Sequence, residues 1–331
     1  MTLLAPHVAA FLRDRLQRER DASPHTCNAY ADALRLLVVF VAKKHRTQPS
    51  GLRLEHLDAA TVLAFLEHLE NERHNSARSR NARLAALKSF VKFLEYRAPS
   101  HLDRTRRILA IPFKKTDQRL IPHLSYSEMQ ALLDAPDPSS RDGIRDRAML
   151  HLAFAAGLRV SELVGLLLDD VVLQSSPAIR VRGKGRRERF LPLWKETAKT
   201  MRAWLAVRGQ PPCPEVFTNA RGRPLTRSGF EYILAKHVAL AASTHASIKS
   251  KRVSPHVLRH SCAVHTLQAT KDIRKVALWL GHASQQTTEV YLRVDPTEKL
   301  DAIEARLPPE LRRGRFRPPD KLLELLRPKR T

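Results

Sequence analysis

Between residues 98 and 122 the chain carries Pro99, Pro112 and Pro122 around the basic run Arg104-Thr105-Arg106-Arg107. Proline supplies no backbone N–H and biases the residue before it away from helix, so one continuous element cannot cross this stretch. It reads as an extended basic linker between two bodies. The 331 residues suffice for two domains of about 100–200 residues each.

Residues 1–97 have helical periodicity. Leu3–Arg20 repeats apolar residues as Val8, Phe11, Leu12 and Leu16. Ser23 before Pro24 starts a second helix through Tyr30, Leu34, Leu37 and Val41, with serine as cap and proline in the first turn. A third covers about Ala59–Arg73. A fourth, from about Ser76, aligns Leu84, Leu87, Phe90, Val91 and Leu94 on one face and Arg78, Arg80 and Lys88 on the other. The first 119 residues hold 22 Lys+Arg against 12 Asp+Glu, so this bundle presents a basic face.

From residue 123 to about 300 the pattern is mixed. Ser125 or Ser127 caps a helix to about Leu133, and another covers about Gly143–Ala156 and stops at Gly157. A third follows Ser161. Ala178–Arg182 and Arg187–Leu191 then read as strands around Gly183-Lys184-Gly185, a hairpin. Helices return at about Arg227–Ala242, Pro255–Ala269, Asp272–Leu280 and Ser284–Leu292. Residues 301–331 form a basic, proline-rich tail whose Leu322, Leu323, Leu325 and Leu326 make a short amphipathic stretch. The expected class is mainly α with a small β-sheet or hairpin.

The formal net charge is +25, from 58 Lys+Arg and 33 Asp+Glu, more than solubility requires, and a nucleic acid is the first candidate partner. No run of about 18 apolar residues suggests a membrane span, and the arginines inside the first apolar stretch argue against a signal peptide. Cys27, Cys213 and Cys262 lie far apart without CxxC spacing, which suits a reducing cytosol and neither a disulfide framework nor a zinc site. The 15 histidines show no HExxH grouping, so no metal or other cofactor is expected. The sequence also lacks a P-loop and a carboxylate cluster of the two-metal kind.

Four short segments carry chemistry. Ser254-Pro255-His256-Val257-Leu258-Arg259-His260 opens a helix with His256 and Arg259 on one face of its first turn, beside backbone N–H groups that favour an anion. Leu280-Gly281-His282 ends one helix at a left-handed glycine, and Tyr291 follows nine residues later. Gly157-Leu158-Arg159-Val160-Ser161-Glu162-Leu163 places Arg159 in a turn, with Ser161 able to cap the next helix and Glu162 near enough to orient the arginine. Lys184 stands at the tip of a hairpin carrying Arg182, Arg186 and Arg187.

Taken in order, these segments resemble the phage-integrase or tyrosine-recombinase family over about residues 124–300. The likeness extends more loosely to the N-terminal bundle, where residues 75–96 look like the last helix of the family's SAM-like core-binding domain. The resemblance implies an integrase-type α+β catalytic domain that needs no metal and no ATP. It implies that Tyr291 attacks the scissile phosphate, forming a 3′-phosphotyrosyl bond and releasing a 5′-hydroxyl. Arg159 and Arg259 would clamp the non-bridging oxygens, His282 would add a hydrogen bond, His256 would assist proton removal from Tyr291, and Lys184 would protonate the leaving oxygen. Glu162 would support the site. Arg78, Arg80, Lys88, Arg182, Arg186 and Arg187 are the candidate DNA contacts. Such an enzyme would act on double-stranded DNA in the cytoplasm, as a tetramer on two sites, with related recombinases as candidate partners, for a mobile element or for chromosome resolution. A non-catalytic DNA-binding protein of the same fold and a type IB topoisomerase are the alternatives; the separate helical domain and the spacing from Leu280-Gly281-His282 to Tyr291 favour the recombinase.

Overall fold

The computed structural model describes residues 2–116, 121–183, 188–281, 288 and 291. The chain divides into two compact units at residues 118 and 119.

In the first unit, α1 (Leu4–Ala10) runs into a π-helical segment, Phe11–Glu19. The wider π turn, bonded i to i+5, lets Phe11 and Leu16 both face inward. α2 (Pro24–Lys44) starts where the Ser23 hydroxyl accepts the Thr26 N–H at 3.3 Å. α3 (Ala59–Asn71) is capped by Asp58 and α4 (Ala77–Arg97) by Ser76. The core packs Leu34, Leu37, Phe65, Leu66, Phe90 and Phe93 around Phe11, whose ring meets Phe90 edge-on at 5.4 Å. Burying one such ring contributes about 2–3 kcal/mol.

Two expectations for this unit change. The basic run in the linker is helical, not extended: α5 (Leu102–Leu109) buries Ile108 and packs along α4. Pro99 allows this because it occupies the first position of a 3-10 turn, Pro99–His101, where a missing N–H costs no bond. Arg107 pairs with Asp103 at 3.0 Å, and Arg104 donates to the Glu55 carbonyl. The basic face of α4 is also narrower than its sequence suggests. Arg78 is exposed, but Arg80 is only 5% exposed and lies 3.6 Å from the Glu70 carboxylate. Lys88 donates to the Leu109 carbonyl at 2.7 Å, and its ammonium sits 4.8 Å from the Phe113 ring centroid. The carboxylate of α3 and the apolar cover of the chain after α5 draw both cations inward.

The second unit contains α6 (Tyr126–Asp134), α7 (Arg141–Ala155), α8 (Val160–Val164), β1 (Val171–Val172), β2 (Ala178–Arg182), β3 (Glu188–Pro192), α9 (Lys195–Arg208), α10 (Arg227–Thr244), α11 (Pro255–Thr270) and α12 (Ile273–Leu280). Ser125, rather than Ser127, caps α6, and Glu128 completes a reciprocal capping box. α7 is buried on nearly every side, which makes it the spine of the unit. It packs against α9 and α11. Its Asp146 is clamped between Arg145 at 2.7 Å and His237 of α10 at 2.9 Å, so the buried charge is paired.

The strands form one antiparallel sheet in the order β1-β2-β3. Ile179 pairs with Leu191 and Val181 with Arg189. Directly opposed residues share a face. Ile179, Val181 and Leu191 are buried, so this register also turns Arg189 inward.

Candidate active site

Three separated segments meet at Arg259. This residue lies in the second turn of α11, is 4% exposed, and reaches two backbone carbonyls. Nη1 donates to Gly157 O and Nη2 to Leu280 O, the latter at 2.8 Å. Leu280 is the last residue of α12, where a helix presents unpaired acceptors and partial negative charge, and Gly157 stands in the turn just past α7. The arginine thereby ties the turn that carries Arg159 to the turn that precedes His282. Burial, with Arg159 nearby, pushes the Arg259 guanidinium down to about 10, which leaves it charged at neutral pH.

The Arg159 turn depends on Gly157. Its φ is +56°, and a β-carbon there would stand 2.5 Å from Leu280 Cδ2 and 3.0 Å from Cys262 Sγ. Gly157→Ala is therefore expected to lower the stability of this unit by roughly 3 kcal/mol, combining left-handed backbone strain with overpacking. Thermal unfolding checks this, with an expected drop on the order of 10 °C. An unchanged midpoint would mean that α7 and α12 can separate freely.

After the turn, α8 begins at Val160, so Arg159 is itself the N-cap and Ser161 lies inside the helix. Ser161 therefore does not cap α8. Glu162 accepts the Arg159 N–H at 3.0 Å and binds its guanidinium at 2.7 Å. It also receives Arg189 of β3, at 2.9 and 3.3 Å. Burial alone would raise the Glu162 carboxyl, but Arg189 and Arg159 outweigh it and hold the group below its ordinary value. One carboxylate thus orients Arg159 and anchors β3 through Arg189.

Gly281 caps α12 in the left-handed conformation, φ +64° and ψ +46°. A β-carbon there would lie 3.0 Å from Arg189 Nη1, so the glycine admits the guanidinium that holds Glu162. At α11, Ser254 stands at the N-cap without a side-chain cap bond, and Pro255 begins the helix. His256 is exposed.

Tyr291 is buried, 2% exposed, with its N–H bonded to Thr288 O at 3.0 Å. Burial raises its hydroxyl to about 12, while Arg259 and Arg159 act in the opposite sense from within electrostatic reach. Both arginines named from the sequence thus act electrostatically on the phenol. The side chain it touches is His260, whose Nδ1 lies 2.9 Å from the hydroxyl oxygen. Lys184, His282, Arg186 and Arg187 lie outside the described residues. Arg182 is exposed at the base of the hairpin and pairs with Asp170 at 3.2 Å.

The family model described as the phage integrase family matches residues 122–298. The model for the phage integrase N-terminal SAM-like domain matches residues 8–98. The chain belongs to the phage integrase family of tyrosine recombinases.

Among recombinase relatives, a putative integrase/recombinase, y4rC, of Sinorhizobium fredii is 41% identical over 98% of this chain and 97% of its own length. The tyrosine recombinase XerC of Pelobacter propionicus is 35% identical, over 89% of this chain and 92% of its own. Among solved structures, XerH site-specific recombinase bound to a palindromic difH substrate is similar with a TM-score of 0.66 and 23% identity, over 89% of this chain and 84% of that one. The Tn1549 transposon integrase in complex with transposon right-end DNA gives a TM-score of 0.67 at 16% identity, over 91% and 99%. These two share the fold: a helical N-terminal domain and a catalytic domain with a small sheet.

Two residues of the recombinase site were not singled out from the sequence. Arg189 needed the strand register to show that it faces inward. His260 lies four residues after His256, and helical spacing alone puts both on one face; their rings stack at 6.3 Å. That spacing was the available signal.

Proposed function

We propose that this recombinase cuts and rejoins duplex DNA at specific sites through a 3′-phosphotyrosyl bond to Tyr291. The observation that carries the reading is that Arg259 holds the Arg159 turn and the Leu280-Gly281 turn together while the Tyr291 hydroxyl meets His260, the next residue on the same helix. In the proposed step Tyr291 Oη bonds to phosphorus and the bond from phosphorus to O5′ breaks. His256 assists removal of the phenolic proton and Lys184 protonates O5′. Arg159, Arg259 and His282 hold the non-bridging oxygens. Attack builds charge on a group that is already anionic, and fixed cations aimed at those oxygens stabilise it. Arginine suits this because its planar fork stays protonated. The phosphotyrosyl bond keeps the energy of the broken ester, so rejoining to another 5′-hydroxyl requires no ATP.

The test is a duplex nicked so that the cleaved strand loses its 5′ end. The protein should be trapped on a 3′-phosphate, and the DNA-bearing peptide should contain Tyr291. Attachment to any other residue overturns the assignment. Sequence-independent relaxation of supercoiled DNA would favour the topoisomerase reading instead.

The proposed working form is a tetramer on two DNA sites, in the cytoplasm and serving a mobile element or chromosome resolution. An apolar groove of about 1440 Å³ in the second unit, lined in part by Leu133, Phe154, Trp194, Leu278 and Trp279, supports such assembly. Its proposed occupant is the Leu322, Leu323, Leu325 and Leu326 stretch of a neighbouring copy, which lies outside the described residues. A chain ending at Arg317 is expected to bind one site normally but to pair two sites roughly tenfold less well, a loss of about 1.4 kcal/mol. Native gels of the two complexes check this, and unchanged pairing removes the tail from the proposal.

A further inference from the structure

The hydroxyl of Tyr291 cannot meet a DNA phosphate where it stands. The residue is 2% exposed and Arg259 is 4% exposed, so a phosphate reaches neither until this part of the unit opens. Its oxygen is instead engaged by His260 Nδ1 at 2.9 Å, with the two ring centroids 5.7 Å apart. His260 is on α11, one residue after Arg259 and one turn after His256, and its own ring is partly buried. Among the described residues, His256, Arg259, Arg159 and Cys262 act on this pair.

We infer that His260 is a latch on the nucleophile. It holds the Tyr291 hydroxyl inside the catalytic unit, and strand cleavage requires this hydrogen bond to break so that the ring can turn to the phosphate between Arg159 and Arg259. The inference rests on the reading of Tyr291 as the nucleophile.

The alternative role for His260, the base that takes the phenolic proton, fits the resting geometry poorly. Burial, His256 and Arg259 push the imidazole down to about 4, while burial pushes the phenol up to about 12. In that pair the proton stays on the tyrosine and both partners are neutral. A neutral hydrogen bond in a dry site restrains position without ionising the nucleophile. The latch also has a use. A free phenol beside two guanidinium groups could attack any phosphodiester that came within reach, whereas a buried one can act only after a conformational step. Engagement of the correct DNA or of a neighbouring copy would supply that step.

The latch makes an unusual prediction, because removal of a side chain from an active site normally slows the reaction. Single-turnover adduct formation is measured on the nicked duplex, with DNA saturating so that binding does not enter. His260→Leu, which removes the ring nitrogen but keeps apolar volume, is expected to form the adduct about fivefold faster, the factor for loss of a net hydrogen bond of ordinary strength. His260→Asn can place an amide near the Nδ1 position and should fall between the two. His260→Gln moves that amide one bond further out; it serves if the leucine variant melts early, and the same acceleration is expected. Loosened packing could also free the phenol, so a volume-changing control at the neighbouring buried Leu258, Leu258→Ala, is measured alongside. It should lower the melting midpoint without the acceleration, and an equal acceleration in it would overturn the latch. A slower rate in both the leucine and glutamine variants, with Asn alone near the unchanged chain, would make His260 a participant in cleavage and overturn the latch. Should Tyr291→Phe still form adduct, the nucleophile assignment fails first, so the two failures are distinguishable.

Discussion

Tyr291→Phe is expected to bind duplex DNA like the unchanged chain and to leave no covalent adduct on the nicked duplex. Phenylalanine keeps the buried ring and removes one oxygen, the atom proposed to bond to phosphorus. Phenylalanine offers no atom able to bond to phosphorus, and attack by water in its place would give no adduct. The loss in cleavage rate should be on the order of 10⁴-fold or more, as for removal of other nucleophiles. Stability should change little. The hydroxyl contributes about 1 kcal/mol net through its hydrogen bond with His260, and the midpoint should move by only a few degrees. Denaturing gels for the adduct, gel-shift titration for binding and thermal melts for the fold separate these outcomes. An adduct that persists in the phenylalanine variant would sink the phosphotyrosyl mechanism, whatever else the site contains.

Arg259→Lys carries the second large effect. The arginine does two things at once: its fork holds Gly157 O and Leu280 O, and its charge lowers the cost of ionising Tyr291. Lysine keeps the charge but is a point donor on a flexible stem, so it cannot reproduce a planar grip on two carbonyls. One carbonyl should lose its partner, and the Arg159 turn and the Leu280-Gly281 turn should lose their fixed separation. Cleavage is expected to fall by about 10²–10³-fold, the usual cost of losing one aligned donor to a developing anion. The penalty for one unsatisfied buried carbonyl is about 1–3 kcal/mol. Lysine keeps the charge and with it the repulsion from Arg159 that helps to depress Arg259, so the stability cost is that of the lost grip alone, and the rate should suffer more than the melting midpoint. Single-turnover cleavage and thermal unfolding measured together test this. A lysine variant within tenfold of the unchanged rate would show that charge alone suffices and that the carbonyl grip is incidental.

Much of the frame was legible in the residues because the signals are local. Ser23, Ser76 and Ser125 cap helices within three residues of themselves. Gly157 and Gly281 mark left-handed turns because L side chains are strained there. The strand over Ala178–Arg182 follows from its own alternation and β-branched residues. The same local rules failed where a distant partner intervened. Arg80 reads as an outward cation on α4, but Glu70 of α3 draws it in. The prolines near residue 98 suggest an extended linker, but Ile108 finds a place against α4 and makes α5 worthwhile. Ser161 is a good cap by type, yet Glu162 closes onto the Arg159 N–H and moves the helix start forward.

By itself, then, the sequence determined which side chains could handle a phosphate and the short-range geometry that holds several of them: capped helices, left-handed glycines and the spacing of His256 from Arg259. Only the tertiary structure decided what those groups face. Gly157 and Leu280 are 102 and 21 residues from Arg259 along the chain, Arg189 reaches Glu162 across 27, and Tyr291 meets His260 across 31. Backbone propensity acts over a few residues, whereas these contacts form only when the core around α7 is packed, and that packing sets which cations surround the phenol and which imidazole holds it.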